Sequence, residues 1–128
     1  MLEELNDILK NSYAPYSNFH VGALLVMKDD KKFTGVNVEN ASFGGTICAE
    51  RVAICKAVAS GYRKGDFKEI HIINDGGSFA MPCFICRQTF LEFFDKDTII
   101  YVYNINGEVM KYSMDMICPY PFDGDDLK

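Results

Sequence analysis

The sequence has no apolar stretch approaching the roughly 20 residues that a membrane-spanning helix requires. Its opening residues, Met1, Leu2, Glu3 and Glu4, are not a basic segment leading into an apolar one. Neither a spanning helix nor a secretory leader is expected, and the cytoplasm is the expected location. Positive charge is scarce as well: 13 basic against 18 acidic residues leave a net charge of −5, the wrong sign for a surface that must gather the phosphates of a polynucleotide. A nucleic-acid partner is not expected; a small, uncharged or weakly charged ligand is. Histidine is nearly missing. His20 and His71 lie in strand-like runs away from the cysteine-bearing segments and read as ordinary strand residues, not metal ligands. Internal repeats, linkers and low-complexity segments are also lacking. Finally, an even complement of cysteines is absent: five cannot close a disulfide framework, and in an intracellular chain their spacing suits metal or redox chemistry.

Of the 128 residues, 48 % are hydrophobic and 24 % charged, enough for one domain, residues 1–128, with its own core. Leu2, Leu5, Ile8 and Leu9 recur at helical spacing and predict a helix from Leu2 to Ser12, stopped before Pro15. Phe19 to Met27 reads as a buried strand, Asp29 to Lys31 as a turn, and Lys32 to Val38 as the returning strand of a hairpin. The loop Ala41 to Thr46 leads to a helix from Cys48 to Ser60, stopped by Gly61. A third strand, Glu69 to Asn74, precedes a helix opened by Pro82 and reaching Phe94. Thr98 to Asn104 and Glu108 to Ser113 then form two antiparallel strands around Asn106 and Gly107. Helices alternating with strands buried on both faces indicate an α/β fold, a three-layer α/β/α domain on a mixed five-stranded sheet.

The chemistry lies in Cys48, Ala49 and Glu50 and in Pro82, Cys83, Phe84, Ile85 and Cys86. Both groups fall at predicted helix starts, where unpaired N–H groups and the positive end of the helix dipole favour thiolate over thiol. Cys83 and Cys86 are three apart and share a helix face; Cys48, arriving on the other helix, completes three metal ligands and leaves a fourth position for water. Zinc suits thiolates, and with three ligands it acts catalytically by lowering the pKa of bound water. Glu50, two residues from Cys48, does not share its face and is free to handle protons. Three thiolates leave the site formally negative, so Arg51 and Arg87, each directly following a motif, are expected to donate to ligand sulfurs. Zinc-dependent nucleobase deaminases carry this arrangement: His or Cys, one residue, Glu, then Pro-Cys-x-x-Cys.

Beyond that signature the chain resembles the small, homotetrameric cytidine deaminases over nearly its full length. The resemblance lies in Tyr16 to Gly22, in Asn37 to Asn40, in Cys48 to Arg51 and in Pro82 to Gln88. It implies hydrolysis of cytidine or 2′-deoxycytidine to the uridine and ammonia, as in pyrimidine salvage, with one zinc per subunit on Cys48, Cys83 and Cys86 and Glu50 as the proton carrier. It further implies that Asn37 and Glu39 hydrogen-bond the ribose, that Phe19 packs on the nucleoside, and that the backbone N–H of Ala49 meets the base carbonyl. Phe122 would reach over the pyrimidine from a neighbouring subunit, so active sites would be shared. The chain departs from the family pattern at Phe84 and Ile85, where relatives usually have small residues, and at Phe43, often a tyrosine.

Two rival readings follow from the same residues. A deaminase of a related aminopyrimidine nucleoside, such as blasticidin S, would use the same zinc site. A structural zinc or dithiol module would need only Cys83 and Cys86 with other partners; Cys55 is the candidate fourth ligand, although as a helix residue it reads more simply as a core thiol, and Cys118 has no assigned place.

Overall fold

The computed structural model describes residues 1–127; the expected domain runs to Lys128, which lies outside them. Helix α1 (Leu2–Leu9) buries Leu5 and Ile8. Strands β1 (Val21–Met27) and β2 (Lys32–Val36) pair antiparallel, Gly22 opposite Val36 and Val26 opposite Lys32. Helix α2 (Ala49–Ala59) connects to β3 (Phe67–Asn74), and α3 (Phe84–Phe93) connects β3 to β4 (Ile99–Tyr103). Strand β5 (Val109–Tyr112) closes the sheet and a short α4 (Met114–Ile117) follows. The order is β2-β1-β3-β4-β5, with β3–β4 the parallel pair and the other three antiparallel. Among the described residues no helix is long and apolar enough to cross a membrane.

Strand alternation divides the core into two layers of contacts. Leu24, Val26, Ile73 and Tyr103 pack against Leu5 and Ile8 of α1. From the opposite face Ala23, Leu25, Ile70, Ile72, Ile100 and Val102 join Ala53, Ile54 and Ala57 of α2, Phe90 of α3 and Ile117 of α4. With both faces covered, β1 gains nothing from polar alternation, hence its unbroken apolar run. Each large aliphatic or aromatic side chain buried there contributes about 1.5–3 kcal/mol of transfer free energy.

The connectivity decides where the cysteines go. Because β2 and β3 are both antiparallel to β1, they point the same way and end at the same edge of the sheet. Helix α2 follows β2 and α3 follows β3, so both helices begin at that edge, and β1 begins there too. Gly35 sets the height of α2 above the sheet. A Cβ at this strand position would lie 2.1 Å from the Ala49 carbonyl oxygen and 2.8 Å from the Ala53 nitrogen. Only a glycine lets the helix backbone come so near, and alanines at 49, 53 and 57, all fully buried, keep the helix side equally thin.

Several expected boundaries move. Phe19 and His20 precede β1, so His20 is not a strand residue; it pairs instead with Asp75 at the end of β3. Helix α3 begins at Phe84, leaving Pro82 outside it and Cys83 as its N-cap. The β4–β5 connection takes three residues, 105–107, between Asn104 and Glu108, and Gly107 adopts the left-handed φ of +91° that the turn requires. Helix α4 was not expected; Ser113 caps it by accepting from the Met116 N–H at 3.4 Å.

Candidate metal centre and substrate pocket

Cys48 and Cys83 occupy the same position in their respective helices, the N-cap, in extended backbone conformation. Their sulfurs are 3.7 Å apart. Cys86, fully buried one turn into α3, donates its backbone N–H to the Cys83 sulfur at 3.4 Å, the thiol taking the place of the usual capping oxygen. The three sulfurs lie within 4.8 Å of one another, and among the described residues no fourth His, Cys, Asp or Glu joins them. Cys55 is exposed and outside this group, and Cys118 packs against the edge of the core.

The electrostatics are those of a cation site. Hydrogen bonding from the Cys86 thiol, then from Arg51 and Cys83, brings Cys48 down to about 5 against the opposing effect of burial. Cys86 moves the other way, its proton held by the hydrogen bond to Cys48, by burial and by the nearby Glu50 charge. The two thiols are thus driven in opposite directions, and a metal bound between them would displace the thiol protons. Arg51 donates from Nη2 to the Cys48 sulfur at 3.5 Å, while its buried Nε has no hydrogen-bond partner among the described residues. Arg87 does otherwise than expected: its Nε donates to the Pro82 carbonyl at 2.8 Å and Nη1 to the Ile117 carbonyl at 2.9 Å, with the guanidinium 4.6 Å over the Phe84 ring. It ties the loop before α3 to α4, and none of its hydrogen bonds reaches a sulfur. Three soft donors, one already biased to thiolate, fit zinc.

Glu50 stands in the first turn of α2 and is only 4 % exposed. Burial, reinforced by the Cys48 charge, raises its carboxyl to about 7, opposed by its own backbone N–H and by Arg51. A carboxyl in that range can both accept and release a proton near neutral pH. Ala49, fully buried beside it, presents a first-turn N–H that the helix itself cannot use.

The residues expected at the sugar lie on the loops before β1 and after β2. Asn37 is buried, and its Oδ1 accepts from the Val21 N–H at 3.0 Å and from the Ser12 hydroxyl; its Nδ2 donates to the Phe19 carbonyl at 2.8 Å. Both oxygen lone pairs are thus occupied and one N–H remains, so Asn37 can offer a ligand a donor only. Glu39 is its complement, an acceptor only. Its Oε1 accepts the N–H groups of Tyr16 (2.9 Å) and Ser17 (3.1 Å) and its Oε2 the Ser17 hydroxyl, which with those N–H groups keeps the carboxyl below its ordinary range. A cleft of about 420 Å³ opens beside it, lined by Tyr16, Ser17, Glu39, Asn40, Phe43 and Thr46. A larger one, about 610 Å³ between α3, α4 and the C-terminal residues, contains none of the thiols. The Phe19 ring rests against Gly76, where a Cβ would be 2.8 Å from its Cε1. Phe122 is half-exposed on the C-terminal segment, its carbonyl accepting from Gln88 of α3 at 2.7 Å.

Sequence reasoning missed Gly35 and the His20–Asp75 pair. An isolated glycine within a strand pattern signals close backbone approach and could have been used; nothing local in the sequence signals a pairing across 55 residues.

An open cradle of three thiols beside a buried carboxyl, on a three-layer α/β sheet, is the equipment of a zinc-dependent hydrolase. The model of the cytidine and deoxycytidylate deaminase zinc-binding region matches residues 1–102, and the chain belongs to that family. It is 37 % identical over 127 residues to a cytidine deaminase of Halalkalibacterium halodurans, covering 99 % of this chain and 95 % of that protein. Against a cytidine deaminase of Sporosarcina psychrophila the figures are 34 %, 99 % and 92 %. The crystal structure of cytidine deaminase from Burkholderia pseudomallei superposes with a TM-score of 0.90 at 40 % identity, covering 94 % of this chain and 95 % of that one.

Proposed function

We propose that the protein hydrolyses cytidine and 2′-deoxycytidine to uridine and 2′-deoxyuridine, releasing ammonia, as a cytoplasmic enzyme of pyrimidine salvage. The observation that carries this reading is the meeting of Cys48, Cys83 and Cys86 within 4.8 Å beside the buried Glu50. Zinc held by the three sulfurs supplies the Lewis acidity that makes water a nucleophile near neutral pH.

Everything else is done by the chain. Glu50 takes a proton from the attacking water and places it on N3 of the pyrimidine, then carries a second to the amine leaving C4. Water thereby contributes oxygen to the product and both transferred protons. Arg51, through its hydrogen bond to Cys48, withdraws charge from the ligand set and steadies the thiolate. The Ala49 N–H orients the base carbonyl. At the sugar, Asn37 donates and Glu39 accepts, a division that suits a hydroxyl group, which can do both at once. Phe19 packs on the nucleoside.

The exposed apolar side chains support an assembly. Phe43 is 84 %, Phe84 77 % and Phe122 57 % exposed, more aromatic surface than a solitary chain gains from leaving in water. In this reading four copies cover these rings, and Phe122 of each reaches a neighbour's pocket.

The test is zinc-loaded protein with cytidine, following loss of cytidine absorbance and release of ammonia. Glu50→Gln should keep zinc and fold while turnover falls on the order of 10²–10⁴-fold, the usual worth of positioned acid–base catalysis. Absence of turnover by the wild type with bound zinc would overturn the reading, and turnover of blasticidin S in its place would favour the related-nucleoside alternative.

A further inference from the structure

His20 and Asp75 make three mutual hydrogen bonds where β1 begins and β3 ends. The His20 N–H donates to Asp75 Oδ1 at 2.9 Å, its ring Nδ1 meets Asp75 Oδ2 at 2.6 Å, and the Asp75 N–H returns to the His20 carbonyl at 3.2 Å. A carboxylate oxygen accepts, so the ring nitrogen facing it carries the proton; neutral and charged imidazole can both supply it. Partial burial works to raise the Asp75 carboxyl, and the His20 N–H groups more than offset it, leaving Asp75 below its ordinary range.

This pair extends the β1–β3 ladder by one step beyond Val21 and Asn74 and joins the loop before β1 to the loop after β3. One precedes β1 and holds Asn18 in a left-handed conformation (φ +56°), with Phe19 fixed by its N–H to the Ser17 hydroxyl at 3.0 Å and by its carbonyl to Asn37. The other follows β3 and holds Gly76, whose N–H donates to Asn74 Oδ1 at 2.8 Å and whose bare Cα is the floor under the Phe19 ring. The same Ser17 hydroxyl binds Glu39, and that bond is the main reason the Glu39 carboxyl lies below its ordinary range. Displacing His20 therefore disturbs Phe19 directly and Glu39 through Ser17, without touching the thiols or Glu50.

We propose that the His20–Asp75 pair is a positioning clasp that locks the loop before β1 onto the loop after β3 and so presets Phe19 and Glu39 for the nucleoside. It rests on the reading that these two residues face the substrate. Neither His20 nor Asp75 is a catalytic residue: the clasp acts through others, on binding more than on the chemical step.

The experiment is steady-state kinetics on zinc-loaded protein. His20→Ala should raise KM for cytidine about tenfold, the size of one lost charge-assisted hydrogen bond, with kcat and zinc content unchanged. Gly76→Ala, which pushes on the Phe19 ring from beneath, should raise KM in the same way. His20→Asn places an amide N–H where Nδ1 stood and should restore KM to the wild-type range. An unmoved KM in His20→Ala, a kcat that falls in step with it, or a His20→Asn as impaired as the alanine variant would each overturn the clasp while the wild type still turns over. A wild type that binds zinc but does not act on cytidine overturns the functional reading and the clasp with it.

Discussion

The two sides of the active end are built to different standards. On the metal side, Cys48 and Glu50 stand on α2, which a glycine and three alanines press onto the sheet, Cys86 stands on α3, and Cys86 and Glu50 are buried. On the substrate side, Phe19, Phe43, Phe84 and Phe122 project into solvent from loops and helix ends. The three thiols come from one chain, whereas the aromatic rings expected around the substrate stand exposed on it. In the assembly proposed above, one copy would supply its own chemistry while a neighbour would enclose the base. Water exclusion strengthens the electrostatics of the site only when that enclosure closes.

The comparison is broken most severely by attacking the metal side where it is thinnest. Gly35→Ala inserts a methyl group 2.1 Å from the Ala49 carbonyl, so α2 must move and carry Cys48 and Glu50 with it. Overpacking of this kind costs about 1–3 kcal/mol, visible as a lower thermal midpoint. A shift of about 1 Å in the Glu50 carboxyl should lower kcat/KM on the order of 100-fold, and an unimpaired enzyme would show that the helix height is not critical.

A smaller effect is expected on the substrate side. Phe122→Ala should raise KM about tenfold, the worth of one aromatic stacked on a base, with zinc content untouched. Reassembly with inactive Glu50→Gln chains should then lower KM in part of the sites, since an intact Phe122 would arrive from the partner. Mixing without any effect would place Phe122 over its own chain's site or over none.

The smallest effect belongs to a region outside both. His71 is buried in β3, its Nδ1 2.8 Å from the Tyr103 hydroxyl, its Nε2 bonded to Glu69 and its ring stacked on Tyr101. Burial lowers its pKa against the opposing pull of Glu69. As pH falls through the ordinary histidine value of about 6.5 the unfolded chain takes up the proton first, so stability is full above that value and declines below it towards the folded pKa. His71→Gln should flatten the dependence of the thermal midpoint on pH between these limits; an unchanged slope would assign it to other groups.

The same contrast explains what could be read from the chain and what could not. Helix starts are local: Pro82, the paired cysteines and the Gly61 stop mark α2 and α3 in the sequence, and two motifs at two starts already imply a shared metal. That β2 and β3 point the same way, bringing those starts together, follows from pairings with β1 that no local residue records. Arg87 illustrates the limit. Its place after Cys86 suggests a sulfur partner, yet its donors go to Pro82 and Ile117, because the carbonyls of an adjoining loop and of α4 lie within reach. Asn37 is legible only by resemblance, and its real constraint, an amide with one N–H left to give, comes from Ser12, Phe19 and Val21, residues brought to it by tertiary structure. His20 reads as strand in the sequence because an apolar run follows it; the Asp75 carboxylate claims it first.

The central claim, that three thiolates hold zinc with one position left for solvent and substrate, is tested most directly by X-ray absorption at the zinc edge with and without a bound pyrimidine nucleoside analogue. The account predicts three sulfur neighbours and one light atom, with the light-atom shell changing when the analogue binds. Four sulfur neighbours, or a light ligand that stays the same in the complex, would contradict it.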